Sequence, residues 1–195
     1  MIIVDGDNVS KGLKVGLVLI GIIILVIVMF SGSYNSLVAK SEEVDNKYSD
    51  ISVQLERRAD LIPNLVNTVK GYMSHEENII DKVTSAREKL VNADSVSDKV
   101  KANDELTSAL NNLFVIVEAY PDLKSNTNFL NLQDELAGTE NRIANSRRDY
   151  NEAVKSYNKD IKSFPKNILA GIFGFKEKEY FEAKESANDV PEVAF

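Results

Sequence analysis

Charged residues that interrupt apolar helical stripes are the places where this sequence could do chemistry. Arg58 and Glu76 fall on such a stripe, Glu118 and Glu140 lie close to one, and Arg147 and Arg148 follow. Two carboxylates beside a guanidinium are the minimum for acid–base hydrolysis, one acid donating while the other accepts. The same residues also make an interhelical ion-pair set that fixes helix register, with Arg58 facing Glu140 or Glu118. A buried charge needs a partner, because leaving it unpaired costs several kcal/mol. No nucleophile, metal or phosphate-cradling motif accompanies the group, so Arg58, Glu76, Glu118, Glu140 and Arg147 are read as a structural polar cluster. The rival reading is a hydrolase built on Arg58, Glu118 and Glu140.

Other chemistry fails on residue types. The chain has no Cys and one histidine, His75. A carboxylate-bridged di-iron site in a bundle needs Glu-x-x-His pairs, yet Tyr72 stands three residues before His75. A zincin needs a second histidine four residues on, and that position is Ile79. There is no P-loop, dinucleotide fingerprint or nucleophile elbow, so no catalytic residue, cofactor or metal is expected. The net charge of −7 argues against nucleic acid as a partner. Tyr34, Tyr48, Tyr72, Tyr120, Tyr150 and Tyr157 lie along the stripes without the interleaved basic residues that stacking on single strands requires. They are expected in the core with hydroxyls at its edge.

The elements that must position these residues are helical. Val15 to Phe30 carries no polar side chain, and with Lys14 snorkelling the apolar stretch reaches from Leu13 to Ser33. About 20 residues cross the hydrocarbon layer, so residues 13–33 are expected to be a membrane anchor behind a short segment 1–12. A signal peptide cleaved at Ser31-Gly32-Ser33 competes, but its apolar core is typically only about 7–15 residues. Lys11 and Lys14 precede the span, whereas Lys40 and Lys47 lie well beyond it, which favours a cytoplasmic N-terminus and an exported remainder.

Between Tyr34 and Phe164 the only breakers are Pro63, Gly71, Pro121 and Gly138, too few for a sheet. Leu37, Val44, Tyr48, Ile51, Leu55, Ile62, Leu65, Val69, Tyr72, Ile79, Val83, Ala86 and Leu90 alternate steps of three and four, the helical period. Pro63 disfavours helical geometry at the residue before it and Asp60 can cap, so segments of about 34–60 and 61–91 are expected, either bent at the proline or separated by a tight corner. Leu106, Leu110, Leu113 and Val117 mark a third, closed by Pro121. Phe129, Leu132, Leu136, Ile143, Tyr150, Tyr157 and Phe164 mark a fourth, closed by Pro165. Four such segments predict an up-and-down four-helix bundle over residues 34–167.

Residues 168–195 form an apolar strip, Ile168 to Phe175, and an acidic tail. Pro165, Gly171 and Gly174 argue against a stable helix in the strip, which is expected to fold back over the bundle or dip into the bilayer interface. Folding back is the favoured reading. Phe173, Phe175 and the terminal Phe195 are the possible interaction residues.

The sequence also resembles the LemA family. The resemblance rests on Tyr34-Asn35-Ser36-Leu37-Val38, the run Gln54 to Val66, Val69-Lys70-Gly71-Tyr72 with His75-Glu76, and Glu118 to Lys124. It continues through Glu140 to Ala144, Arg147 to Asn151, Tyr157-Asn158, Phe164-Pro165 and Pro191 to Phe195. It implies a bacterial, single-pass protein of the cell membrane, with a four-helix bundle on the extracytoplasmic side. It brings no enzymatic activity. The resulting expectation is an all-α, non-enzymatic scaffold that contacts lipid through residues 13–33 and binds other envelope proteins. A membrane-remodelling oligomer using residues 168–175 is a further alternative.

Overall fold

A computed structural model describes residues 6–73 and 75–181. Phe195 and most of the acidic tail lie outside these residues. The fold is all-α: six helices and no strand among the described residues. They are α1 (Gly6–Lys70), α2 (Glu77–Val91), α3 (Val96–Val117), α4 (Pro121–Lys124), α5 (Thr127–Lys162) and α6 (Lys166–Phe173). Two compact units emerge, one of residues Met1–Glu43 with Ser156–Glu177, the other of Val44–Lys155 with Lys178–Phe195.

Helix α1 runs for 65 residues and passes through Pro63 without ending. Of the two expectations for Pro63, the tight corner is corrected: the helix continues through it. A proline has no N–H, so the carbonyl four residues back loses its helical donor. Here that carbonyl belongs to Ala59, and Arg87 on α2 donates its Nε–H to it at 3.0 Å. The orphaned acceptor is thus satisfied from another helix, and α1 ends instead at Gly71, where a corner leads to Glu77.

In the second unit the stripes are buried as their spacing demands. Val44, Ile51, Leu55, Ile62, Leu65 and Val69 of α1 are enclosed, as are Ile79, Val83, Ala86 and Leu90 of α2. Leu106, Leu110, Leu113 and Val117 of α3 and Phe129, Leu136, Ile143 and Tyr150 of α5 complete this core. Side-chain pairs give the directions. Gln54 with Arg142 and Arg58 with Glu140 set α1 against α5 antiparallel, whereas Ser52 with Lys99 and Arg58 with Asn103 set α1 parallel to α3. Ser95 caps α3 by accepting from the Asp98 N–H at 3.0 Å, a contact that supplies one of the four free donors at a helix start.

The segment after α6 returns to this core through Phe181, which is buried. The Asn151 side-chain amide takes the Phe181 N–H at 2.8 Å and donates to the Phe181 carbonyl at 3.0 Å. That amide replaces a neighbouring strand for an otherwise unpaired backbone. Tyr150 Oη donates to the Glu179 carbonyl at 2.8 Å. Burial, with the charges of Asp45 and Glu179 and the neighbouring Tyr48, pushes the Tyr150 phenol up to about 12. The native state therefore holds this proton above the ordinary value near 10, and stability falls as pH rises from about 10 to 12. Tyr150→Phe should remove that part of the alkaline loss and cost about 1 kcal/mol at neutral pH through the lost hydrogen bond. Urea titrations of the full chain in detergent at neutral and alkaline pH measure both.

In the first unit, Leu37 of α1, Tyr157 and Ile161 of α5, and Leu169 and Ala170 of α6 are buried. Asp160 joins three elements: Lys40 lies at 2.9 Å and Lys166 also pairs with it, while Lys40 and Lys166 reach Ser156 and Ser36 at 2.9 and 3.2 Å. Burial pushes the Asp160 carboxyl up, but the two lysine hydrogen bonds outweigh it and hold the group below its ordinary range. Residues 166–173 are helical, which corrects the expectation that the strip's glycines would prevent a helix. Gly171 is accommodated in open space, and Gly174 ends the helix at φ 75°, a left-handed position that glycine reaches without strain.

Candidate functional site

Arg58 is the centre of the polar arrangement. It is 3% exposed, placed inward because it occupies a stripe position on α1. Its Nη1 donates to Asn103 Oδ1 at 2.6 Å, across to α3. The same nitrogen lies 2.5 Å from Glu140 Oε2 on α5. That carboxylate oxygen is buried and off the N–H direction, so the contact is a charge pair without an aligned hydrogen bond, and Arg58 Nε–H is likewise buried without an acceptor. Burial lowers the Arg58 pKa, opposed by the charges of Glu140 and Asp104. A guanidinium starts so far above neutrality that it stays a cation. It neither gives nor takes a proton, and what it does here is join three helices.

The remaining residues of the expected cluster lie elsewhere. Glu118, at the end of α3, pairs with Lys124 of α4 in an exposed contact. Glu76, in the corner before α2, accepts from Tyr120 Oη at 3.1 Å, and this hydrogen bond raises the Tyr120 pKa. Arg147 places its guanidinium over the Phe181 ring, 4.8 Å from the centroid, a cation–π contact. The hydrolase trio is therefore not assembled: Arg58 and Glu140 meet, and Glu118 has its own partner. His75 is exposed in the corner. Among the described residues no group of His, Asp and Glu has the spacing to hold a metal.

Sequence reasoning missed Asn103 and Arg87. Asn103 stands three residues before Leu106 on the α3 stripe, and a polar residue at a buried spacing was the available signal. Arg87 gives no such signal, because its acceptor exists only once Pro63 is packed against α2. Phe173 and Phe175, expected as interaction residues, have their rings 4.8 and 5.8 Å from the Tyr34 ring.

At the N-terminal end, Leu17 to Met29 of α1 carry large apolar side chains that are exposed on every side. The helix is long and apolar enough to cross a membrane, with a mean hydropathy of 2.7 over its best window and none of that window buried. An apolar helix surface exposed all round has no place in a water-soluble core.

Residues 47–195 match the profile described as LemA family. The magnetosome protein MamQ 1 of Paramagnetospirillum magneticum is 30% identical over 184 residues, covering 81% of this chain and 67% of that protein. Magnetosome protein MamQ of Magnetospirillum gryphiswaldense is 28% identical over the same shares of the two chains. Protein LemA of Metamycoplasma hominis is 29% identical over 158 residues, which are 80% of this chain and 72% of its own. The family match takes in the Arg58, Glu76, Glu118, Glu140 and Arg147 positions together with α6, and on this extent the chain belongs to the LemA family.

Proposed function

We propose that this protein is a single-pass, membrane-anchored scaffold that works by binding other envelope proteins rather than by catalysis. One observation carries the reading. The exposed apolar turns Leu17 to Met29 continue, within the same helix, into the buried stripe that begins at Leu37. An anchor without a break before the folded part suits a protein held permanently at a membrane. The polar centre fits the same reading, since it consists of a cation and two acceptors joined across three helices. Relatives named for the magnetosome rather than for a reaction support a role in assembly. The lysine asymmetry around the span favours an extracytoplasmic helical part.

Carbonate extraction of membranes followed by N-terminal sequencing tests the anchor. The full chain is expected to stay with the membrane pellet. A soluble protein starting near Tyr34 would show that residues 1–33 are a removed signal. Cross-linking before detergent solubilisation, followed by pull-down, then identifies the envelope partners.

A further inference from the structure

Helix α6 has two apolar flanks and only one of them is used within the chain. Leu169 and Ala170 are buried, and Leu169, Ile172 and Phe173 line a groove with Phe30, Ser31, Tyr34 and Asn35 of α1. The other flank is open. Phe164, just ahead of the helix, is 80% exposed and Ile172 is 68% exposed, with Ile168 and part of Phe173 beside them. Ile168 and Ile172 lie four residues apart within α6 and so share one side of it, and Phe164 is exposed in the turn just ahead of the helix.

Where α6 sits on α1 fixes its depth. A span of residues 13–33 at 1.5 Å per residue covers about 30 Å, the hydrocarbon thickness. The headgroup layer adds about 5–7 Å on each side, so the turn from Tyr34 to Ser36 falls inside it. Tyrosine is enriched at that level. Helix α6 touches this part of α1: Phe173 stacks near Tyr34, and Lys166 donates to Ser36 at 3.2 Å. Ile172 and Phe173 lie beside Phe30 and Tyr34, directly after the exposed apolar turns of α1 that end at Met29.

We infer that α6 is a second membrane contact: the exposed side chains Ile168 and Ile172, with Phe164 in the turn ahead of the helix, lie in the bilayer interface next to the exit of α1. The inference rests on the anchoring proposed above. Its occupant is lipid, because the surface is apolar and at interface depth. The contact is driven by apolar side chains and not by charge. Lys166 is taken by Asp160, and Lys162 is paired with Glu177 at 2.7 Å, which leaves little of the cationic face that binds anionic headgroups.

The chain contains neither Trp nor Cys, so a single tryptophan reports one position without background. Phe164→Trp and Ile172→Trp, each in the full chain, would be reconstituted in phosphatidylcholine vesicles without brominated lipid, with lipid brominated near the headgroup end of its acyl chains to read α6, and with lipid brominated near the chain ends to read the span. Ile24→Trp serves as the control inside the span, and Val115→Trp, on an exposed position of α3, as the control in water. Both α6 positions are expected to emit at shorter wavelength than Val115→Trp, to lose most of their emission to brominated lipid, and to do so equally in neutral and anionic vesicles. If Ile24→Trp is quenched while positions 164 and 172 emit as in water, α1 spans and α6 stands off the membrane, which overturns the inference alone. A blue-shifted but unquenched α6 signal would mean that protein, such as a second copy, covers these side chains, and this also overturns it. An unquenched Ile24→Trp would overturn the anchor itself, and the inference with it.

Discussion

Replacing Arg58 with alanine should lower the unfolding free energy by about 3–5 kcal/mol, toward the lower end because the Glu140 side chain is partly exposed. The substitution leaves Asn103 Oδ1 and the buried Glu140 Oε2 without their cation, so two acceptors lose their only described partner at once. Desolvation of those acceptors, rather than the strength of the pair, sets the size of the loss. Two further variants separate the causes. Arg58→Lys keeps the charge but not the planar fork, and should recover only part of the stability. Arg58→Met combined with Glu140→Leu removes both charges and should recover most of it, as apolar replacements of buried pairs do. Urea denaturation of the full chain in detergent, followed by circular dichroism, reads all three. An unchanged midpoint for Arg58→Ala combined with lost partner capture would make Arg58 a recognition residue instead.

The second large effect concerns Arg87. Arg87→Met withdraws the side chain that, among the described residues, donates to the Ala59 carbonyl and should cost about 1–3 kcal/mol, the range for leaving a buried acceptor unmet. In a Pro63→Ala background, residue 63 has an N–H that closes the ordinary helical bond to Ala59. The same Arg87→Met change should then cost little. The double-mutant cycle measures the coupling directly. Equal losses in both backgrounds would show that Arg87 acts through packing alone.

These two sites show how far the sequence could be read. Helices were legible because their apolar residues recur at a helical period over many turns, and Leu37 through Leu90 are buried almost as the spacing requires. The start of α5 and the end set by Pro165 followed from the same pattern. The misplaced corner came from treating Pro63 locally, when its effect depends on a donor 24 positions later in the chain. In α6, Gly171 sits inside the helix in open space, and Gly174 is the cap that ends the helix and not an interruption of it. In the polar group, stripe position identified Arg58 correctly as inward-facing. It could not distribute the acids, because Glu118 is drawn to Lys124 by a turn within the connection and Glu76 to Tyr120 across two corners. Arg147 finds an aromatic partner in a segment with no regular structure, and no periodicity points there.

Those two corners have a consequence for how the molecule is cut. Connections between helices are where proteases first gain access, since cleavage needs several residues drawn out into an extended form. Here the two connections are tied to each other by side chains. Tyr120 in one donates to Glu76 in the other, and Asn126 donates in the same direction to Tyr72 at 3.0 Å. Drawing out either connection therefore also breaks these two hydrogen bonds, about 1 kcal/mol each, so this end should be nicked more slowly than two independent loops.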